Sequence, residues 1–568
     1  MPIIGIDLGT TNSLACCVRD GSPVIIPNSF GDHLTPSIVS VDADGQVLTG
    51  KIAAERRITD PFNTASVFKR AMGTKREYAL GARTFLPEEL SSFIVRKLKE
   101  DAEAFLGEPV EEVVISTPAY FNDAQRRATK AAGELAGVRV ERIVSEPTSA
   151  AIAYGLHERP EHTRFLVFDL GGGTFDVSVL EFTGEIMEVC SVAGDNFLGG
   201  EDFTMALAQL FAMRKGIDLP SLDARNYALL RQAAETAKVE LSEKASARMQ
   251  YQPTYAETPT TLEVYAEEFR AACEPTLERL KTPIVRALAD ADLGIQDVDN
   301  IILVGGATKM PVVRMFVGKL FGQFPLIGID PDEAVAVGVG VQAAMKERNE
   351  GVKEMILTDV CPFTLGTEIL MYLPNGLEQS GIYSPIIERN TVIPVSRAHT
   401  YYTSRDGQEE IRIPILQGES RLAADNILLG ELSTHVPPGP GGAESVEVRF
   451  TYDINGILEV EVTVNSTGEK VRTVIEKNPG MMSQEEIEGR LAKLADLKVH
   501  SRDRDEYRLL RERGARLYEE ARGRLREEIS KAMTLLDAVL GTDDPAQIGP
   551  VAANVRDFLD QVERSRGF

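Results

Sequence analysis

The chain has 568 residues, 43% of them hydrophobic, which is long and apolar enough for several folded domains and excludes a disordered chain. With 61 Lys and Arg against 86 Asp and Glu the net charge is −25, so nucleic acid and anionic membrane surfaces are repelled at long range and neither is expected as a partner. No apolar run is long enough to span a bilayer, and the opening Met-Pro-Ile-Ile-Gly-Ile-Asp leads into a strand with no charged leader, so the cytoplasm is the expected location.

Residues 4–13 read Ile-Gly-Ile-Asp-Leu-Gly-Thr-Thr-Asn-Ser, and residues 168–176 read Phe-Asp-Leu-Gly-Gly-Gly-Thr-Phe-Asp. Each is an apolar strand, an Asp, and a Gly- and Thr-rich turn that returns into another strand. Gly9, Gly171, Gly172 and Gly173 let backbone N–H groups approach an anion closely, because no Cβ intervenes. Thr10, Thr11 and Thr174 supply hydroxyl donors. Asp7, Asp169 and Asp176 cannot face phosphate without a cation between, most simply Mg²⁺ held largely through its own waters. Either segment alone reads equally as a tight hairpin or as a site. Their repetition in one register predicts two lobes facing one nucleotide.

Apolar strands at 113–115, 165–168 and 301–304 alternate with helical patterns as far as about residue 350, an α/β signature. Asn122 and Gln125 predict a cap for the helix that carries Arg126. The stretch Gly-Gly-Ala-Thr-Lys-Met-Pro at 305–311 predicts a turn into a helix, with Pro311 in its first turn. Cys16, Cys17, Cys190, Cys273 and Cys361 are scattered and are expected to be reduced packing residues. The segment 354–362 is short, apolar and stopped by a proline, and reads either as a buried strand or as an interdomain linker. From 363 to about 478, period-two runs such as 446–452 and 458–464 predict an antiparallel β domain. Ser483 with Glu486 and Ile487 forms a capping box, and amphipathic helices follow, with Ile487, Leu491 and Leu494 and then Leu525, Ile529 and Leu536 on one face.

The two Asp-Leu-Gly segments, Ser-Thr-Pro-Ala-Tyr-Phe-Asn-Asp-Ala-Gln-Arg at 116–126, Glu-Pro-Thr-Ser-Ala-Ala-Ile-Ala-Tyr-Gly at 146–155, Leu-Gly-Gly-Glu-Asp-Phe at 198–203 and Asp-Pro-Asp-Glu-Ala-Val at 330–335 resemble the DnaK-type chaperones. These are the seventy-kilodalton heat-shock proteins of the wider actin, hexokinase and heat-shock superfamily. The short tail is most similar to the HscC-like bacterial branch. The resemblance implies an actin-like α/β ATPase domain (ribonuclease H-like, duplicated) in two lobes over 1–352 and a linker over 353–361. It further implies an antiparallel β-sandwich peptide-binding domain over 362–480 and a short α-helical lid over 481–568. ATP would be hydrolysed slowly to ADP and phosphate with Mg²⁺, and with K⁺ as a further candidate ion. Hydrolysis and exchange would switch a groove between fast and tight binding of extended apolar segments of unfolded or client polypeptides. A J-domain cochaperone is implied, a nucleotide-exchange factor is left open, and a monomer is expected. The lobes alone also suit an actin-like filament ATPase or a small-molecule kinase.

Carried over residue by residue, Lys69 matches the family's catalytic lysine, and Asp7, Glu146 and Asp169 match positions around the metal and the attacking water. Asp176 is a further carboxylate near the hydrolytic centre. Gly9, Thr10, Thr11, Asn12, Thr174 and the three glycines from Gly171 to Gly173 match phosphate contacts. Gly199, Gly200, Glu201, Glu235, Lys238, Ser242, Gly305, Gly306, Lys309 and Asp330 match the rest of the nucleotide site. Pro118 and Arg126 match the relay between domains, Arg142 and Asp359 the cochaperone site, and Leu357 the linker. In the β domain Tyr401, Ile411, Ile413 and Ile457 match the peptide pocket, and Leu370 with Ser404 the arch above it. The chain departs from the family at Lys309 and Val239, where many members stack arginines on adenine. It departs again at Thr358 in the linker, at Thr367 in the pocket, at Phe197, and in an insertion over about 371–385. Thr358 in place of leucine should weaken linker docking by about 1 kcal/mol, and Pro414 within a strand implies an edge or a bulge.

Overall fold

A computed structural model describes residues 2–41, 45, 47–155, 162–183, 186–253, 259–326, 328–346, 356–372, 378–453, 458–474, 510, 514, 517–518, 521, 523–541 and 545–565. The chain divides into two compact units, Met1–Pro362 and Phe363–Phe568.

In the first unit, β1 (Ile3–Asp7), β2 (Asn12–Arg19), β3 (Ser22–Ile26), β4 (Glu112–Thr117) and β5 (Arg139–Ser145) form a sheet in the order β5-β4-β1-β2-β3. Strand β1 lies parallel to β4 and antiparallel to β2. The second lobe repeats the plan. Strands β6 (Thr163–Leu170), β7 (Phe175–Thr183), β8 (Ile186–Asp195) and β9 (Asn300–Val304) run β9-β6-β7-β8, with β6 parallel to β9 and antiparallel to β7. The segment Ile356–Val360 adds a parallel strand, β10, to β8, with Met187 opposite Leu357.

The apolar residues of these strands face separate cores. Ile4, Ile6, Val113 and Ile115 are buried in the first, and Leu166, Phe168, Val177 and Val179 in the second. The helix Ala334–Lys346 packs against the first sheet and against the helix Glu146–Ala153 at very close range. A Cβ on Gly338 would strike the backbone of Ser149, and one on Gly340 would strike Cys16, so glycine is what permits that approach. All five cysteines are free.

In the second unit, β11 (Leu365–Tyr372), β12 (Glu378–Ile387), β14 (Glu410–Gln417) and β15 (Ile427–His435) form one sheet, ordered β12-β11-β14-β15, and β13 (Val395–Tyr402), β16 (Ser445–Tyr452), β17 (Leu458–Val464) and β18 (Lys470–Val474) form another, ordered β13-β16-β17-β18. Alternate residues of β16 and β17 are buried, as the period-two pattern requires. Pro414 sits beside a register shift between Ile415 and Leu416, and β11 pairs with β14 only at Leu365 and Gly366, so the ring interrupts no ladder on that side. The helices Gly523–Leu540 and Pro545–Ser565 share an apolar core with Leu510 and Leu517. The capping box at Ser483 and the face Ile487, Leu491 and Leu494 lie outside the described residues.

Candidate active site

The two Gly- and Thr-rich turns meet tip to tip. A Cβ on Gly172 would collide with the Thr11 side chain, and one on Gly173 with the methyl of Thr10 at 2.6 Å. The first turn is braced by two serines: Gly9 N donates to Ser13 Oγ at 3.1 Å, and Ser37 Oγ, from outside the turn, donates to Gly9 O at 2.8 Å. The second turn is braced by the helix Gly200–Lys215, whose Gly200 and Glu201 amides donate to the carbonyls of Gly171 and Gly172, both at 2.9 Å. That helix therefore presents its N-terminus beside the turn, the end that favours anions. Arg70 from the first lobe reaches across to Gly173 O at 2.7 Å and Asp202 at 3.1 Å.

Behind the turns lies a buried acidic cluster with one ammonium group. Lys69 is 3% exposed and donates to Glu146 Oε1 at 3.0 Å, with the Phe121 ring centroid 5.5 Å from its Nζ. Lys69 is placed by a short 3₁₀ turn, Phe68–Ala71, entered through Val67 at φ 59°. A β-branched residue there stores about 1–3 kcal/mol of strain, and such strain gathers at sites that need one fixed geometry. Asp169 and Asp176 are directly opposed across β6 and β7. Burial, reinforced by the Glu146 charge, pushes the Asp7 carboxyl up to about 7, while Lys69 and a hydrogen bond from Ser116 oppose the shift. Burial and Glu146 push Asp176 up to about 8. Asp169 is raised by burial and then by Glu146, Asp176 and Asp7. Its Oδ2 is buried with no partner among the described residues. So much buried carboxylate against one lysine calls for a further cation. No group of three or more His, Cys, Asp or Glu among the described residues is arranged to hold a metal directly. The unmet Asp169 oxygen beside Asp7 suits an ion that keeps most of its own waters, as Mg²⁺ does.

The other predicted nucleotide residues gather around Gly200. A Cβ there would lie 3.3 Å from the Ala307 side chain and 3.5 Å from Lys238 Nζ, which ties the helix Ala224–Glu240 to the Gly305–Lys309 turn. Lys238 donates to Gly200 O at 3.1 Å, Thr204 Oγ1 at 2.9 Å and Glu235 Oε2 at 2.8 Å. Burial works to raise the Glu235 carboxyl, but Lys238, the Thr204 hydroxyl and Arg231 together outweigh it and the carboxyl ends below its ordinary value. Ser242 donates to Lys238 O at 3.2 Å, and Glu201 pairs with Arg231. Lys309 lies between Asp330 at 2.7 Å and Asp332 at 2.6 Å, so its charge is already matched. Val239 is 56% exposed and supplies no ring or guanidinium to stack on a base.

Arg126 is buried and ties the turn before its helix to that helix, donating to Phe121 O at 3.3 Å and Ala119 O at 3.2 Å. The helix is capped as the sequence predicts, by Asn122 and Gln125 reciprocally at 3.0 Å. Within the same turn Tyr120 N donates to Asp176 Oδ1 at 3.2 Å, so the Pro118–Phe121 segment touches Lys69 through one residue and Asp176 through another. Burial pulls the Arg142 guanidinium below its ordinary value and Asp359 opposes the shift, which places these two charges near each other. Thr358 Oγ1, in β10, is buried without a partner among the described residues. Thr358→Val is therefore expected to slow amide exchange across 356–360 by about fivefold, the equivalent of roughly 1 kcal/mol for an unmet hydroxyl. Unchanged or faster exchange would mean that the hydroxyl is satisfied.

In the β domain Ile411 and Ile413 are buried on β14, and Tyr401 on β13 shares a 3.1 Å hydrogen bond with Ser384. Leu370 falls at a register shift between Ile369 and Met371, an irregularity that re-aims a side chain. Ser404 is held by Gln408, whose Oε1 accepts from Ser404 N at 2.9 Å, and the Tyr372 hydroxyl donates to Ser404 O at 3.1 Å. Thr367 is buried and donates to Pro414 O at 2.8 Å, so its hydroxyl is spent within the sheet. Ile457 lies outside the described residues. Sequence reading missed Arg70, Ser116, Asp202 and Asp332. Ser116, Asp202 and Asp332 stand inside recognised motifs, whereas nothing local marks Arg70.

A family model described as Hsp70 protein matches residues 3–540. The chain is 42% identical over 497 residues to the Chaperone protein DnaK of Thermosipho africanus (strain TCF52B), covering 85% of this chain and 81% of that one. It is 42% identical over 499 residues to the Chaperone protein DnaK of Thermotoga neapolitana, covering 85% and 82%. The chain belongs to the Hsp70 family, and it is an ATPase and an ATP-dependent molecular chaperone of the DnaK type.

Proposed function

We propose that ATP lies between the two turns of the first unit and that its hydrolysis is centred on Lys69, Glu146, Asp169, Thr174 and Asp176. The observation that carries this reading is the buried Lys69–Glu146 pair among carboxylates, one of which keeps an unmet oxygen. Mg²⁺, when bound, would be held largely through water by Asp7 and Asp169 and would neutralise phosphate charge. Lys69 supplies a fixed positive charge at 3.0 Å from Glu146; Glu146 would accept the attacking water's proton, and Asp176, whose carboxyl is pushed up to about 8, would help orient that water. Within Gly9 to Asn12 and Gly171 to Gly173, the Gly9 and Gly171 amides donate to Ser13 Oγ and Thr174 O, and the remaining amides and hydroxyls would meet the phosphate charge. Gly199 to Glu201, Glu235, Lys238, Ser242, Gly305, Gly306, Lys309 and Asp330 would hold the nucleoside end.

On this reading 1–352 is an actin-like nucleotide-binding domain, 353–361 a linker, 362–480 a β-sandwich peptide-binding domain and 481–568 a lid. The Pro118–Arg126 turn passes the state of the phosphate site toward β10, where Leu357 is in register with β8. Arg142 and Asp359 receive a J-domain cochaperone. Leu370 and Ser404 arch over an extended apolar peptide, and Tyr401, Ile411, Ile413 and Ile457 line its pocket. We place the protein in the cytoplasm as a monomer. Among the described residues no helix is long and apolar enough to cross a membrane. The relatives carry the general DnaK name, and they do not distinguish an HscC-like branch. Kinase and filament readings are not favoured, because the family match continues through the second unit to residue 540.

The decisive experiment measures ATP turnover of the full chain with and without an unfolded apolar peptide. Stimulation by peptide is expected. Absence of stimulation by every peptide tried, or transfer of phosphate to a small acceptor, would overturn the coupling.

A further inference from the structure

Lys69 and Arg70 are neighbours on the 3₁₀ turn Phe68–Ala71, yet Lys69 pairs with Glu146 of its own lobe while Arg70 reaches the other lobe. There Arg70 Nε donates to Gly173 O at 2.7 Å and its Nη2 to Asp202 Oδ2 at 3.1 Å. The guanidinium lies hard against the turn, since a Cβ on Gly173 would stand 2.8 Å from Arg70 Nε. Asp202 is also held independently of Arg70. Its Oδ2 accepts from Gly199 N at 2.8 Å, and its Oδ1 lies 3.5 Å from Nη1 of Arg279, which pairs with Asp195 at 2.9 Å. The Arg70 and Asp202 side chains are 20% and 23% exposed, so their ion pair is partly screened and its worth lies in direction more than in energy.

Direction matters because of what hangs on the Gly173 carbonyl. The carbonyls of Gly171 and Gly172 accept from the Gly200 and Glu201 amides, and the next carbonyl, that of Gly173, accepts from Arg70. A trans peptide unit is planar, with its C=O and N–H on opposite sides, so a donor fixed on each oxygen also fixes the N–H groups of Gly172, Gly173 and Thr174. The first two grips come from the turn's own lobe. The third comes from the opposite lobe, carries a full charge and is the stronger kind of hydrogen bond. Lys69 sits one residue away on the same short turn, whose end is closed by Met72 N donating to Lys69 O at 3.1 Å. We propose that Arg70 is a positioning residue for hydrolysis: its hold on Gly173 O and Asp202 aims the Thr174 amide and seats Lys69 against one phosphate, and the arrangement is complete only while the two lobes are closed on each other. This inference rests on the reading that places the phosphates between the two turns.

The test measures single-turnover hydrolysis and ATP affinity on the full chain. Arg70→Ala is expected to slow hydrolysis at saturating ATP by about thirtyfold while shifting the ATP dissociation constant by about threefold or less, the split that marks a loss felt in the transition state. Added guanidinium ion, at concentrations that leave the wild-type rate and fold intact, should occupy the vacated space and raise the variant's rate by about tenfold, whereas sodium chloride at the same concentration should not. Arg70→Lys keeps the charge but grips one acceptor at a time, so its rate should fall between those of Arg70→Ala and the wild type. Arg279→Ala cuts the outer arm, leaves Gly173 O held, and should slow hydrolysis by about threefold or less. A wild-type rate in Arg70→Ala overturns the proposal, as does a rate loss matched by an equal loss of affinity and untouched by guanidinium, which is what a merely structural arginine would give. Amide exchange across 171–176 of the wild-type chain, with and without ADP, keeps the two readings apart. Protection by ADP together with a wild-type rate in Arg70→Ala sinks the positioning role alone; no protection by ADP removes the phosphates from between the turns, and the proposal with them.

Discussion

Lys69→Ala is expected to lower ATP turnover of the full chain by about a hundredfold or more, the scale on which one preorganised charge acts at a reacting centre, while nucleotide still binds. The Lys69–Glu146 pair is shut away from solvent. Lys69 and Glu146 are 3.0 Å apart with side chains 4% and 9% exposed, so neither charge is screened and each fixes the other. Removing the lysine leaves Glu146 beside Asp7, Asp169 and Asp176, whose carboxyls burial and mutual repulsion already hold high. The cluster must then take up protons, and a carboxylate that must orient water or a metal-bound water is lost. Binding survives because the amides of both turns and the contacts around Gly200 are untouched. Single-turnover hydrolysis alongside titration of a fluorescent nucleotide separates the two effects. The double variant Lys69→Ala with Glu146→Gln adds a discriminating arm. If it recovers turnover, Lys69 merely neutralises Glu146; if it falls well below Glu146→Gln alone, Lys69 acts beyond that pair. Turnover near the wild-type rate in the single variant would remove Lys69 from the mechanism.

How much of this could be read from the sequence depends on whether a feature is local. The two Asp-Gly turns, the Asn122–Gln125 cap and the alternating strands β16 and β17 each depend on residues within a few positions of one another. Period and turn chemistry therefore suffice to predict them. The contact between the turn tips is legible only as a repeat, since nothing in either segment says that Gly172 will meet Thr11. Arg70 is the clearer omission: its partners, Gly173 and Asp202, lie 103 and 132 residues away, and an arginine in a short turn looks like any solvated one. The tail is similar. Arg526, Thr534 and Asp537 read as the charged face of an amphipathic helix, because sequence cannot reveal that this face is covered by Arg421 and Glu419. The left-handed Val67 is equally silent. A β-branched residue gives no hint of positive φ, and only the surrounding structure forces it.

Gly199→Ala is expected to lower nucleotide affinity by about a hundredfold, and the cause is contact rather than conformation. Gly199 has φ −177°, extended backbone that any residue adopts. Its difficulty is what a Cβ would meet: Gly173 N at 2.5 Å and Gly172 C at 2.7 Å, both main-chain atoms of the opposite turn. Backbone cannot rotate away as a side chain would. Either the helix Gly200–Lys215 moves off the turn, or the turn shifts. Both break the Gly200 to Gly171 and Glu201 to Gly172 hydrogen bonds that set the amides toward the anion. Overpacking of this kind costs about 1–3 kcal/mol, and about 2.8 kcal/mol corresponds to a hundredfold in affinity. The control is Gly216, at the other end of the same helix, with φ 67° and no atom within 4 Å of where a Cβ would stand. Gly216→Ala carries about 1–2 kcal/mol of left-handed strain and should lower the melting temperature while leaving affinity intact. Calorimetric titration with ADP on both variants, with thermal melts in parallel, separates a crowded cradle from a strained backbone. Equal affinity losses in the two would mean that the Gly172–Gly173 turn is not where the phosphates lie.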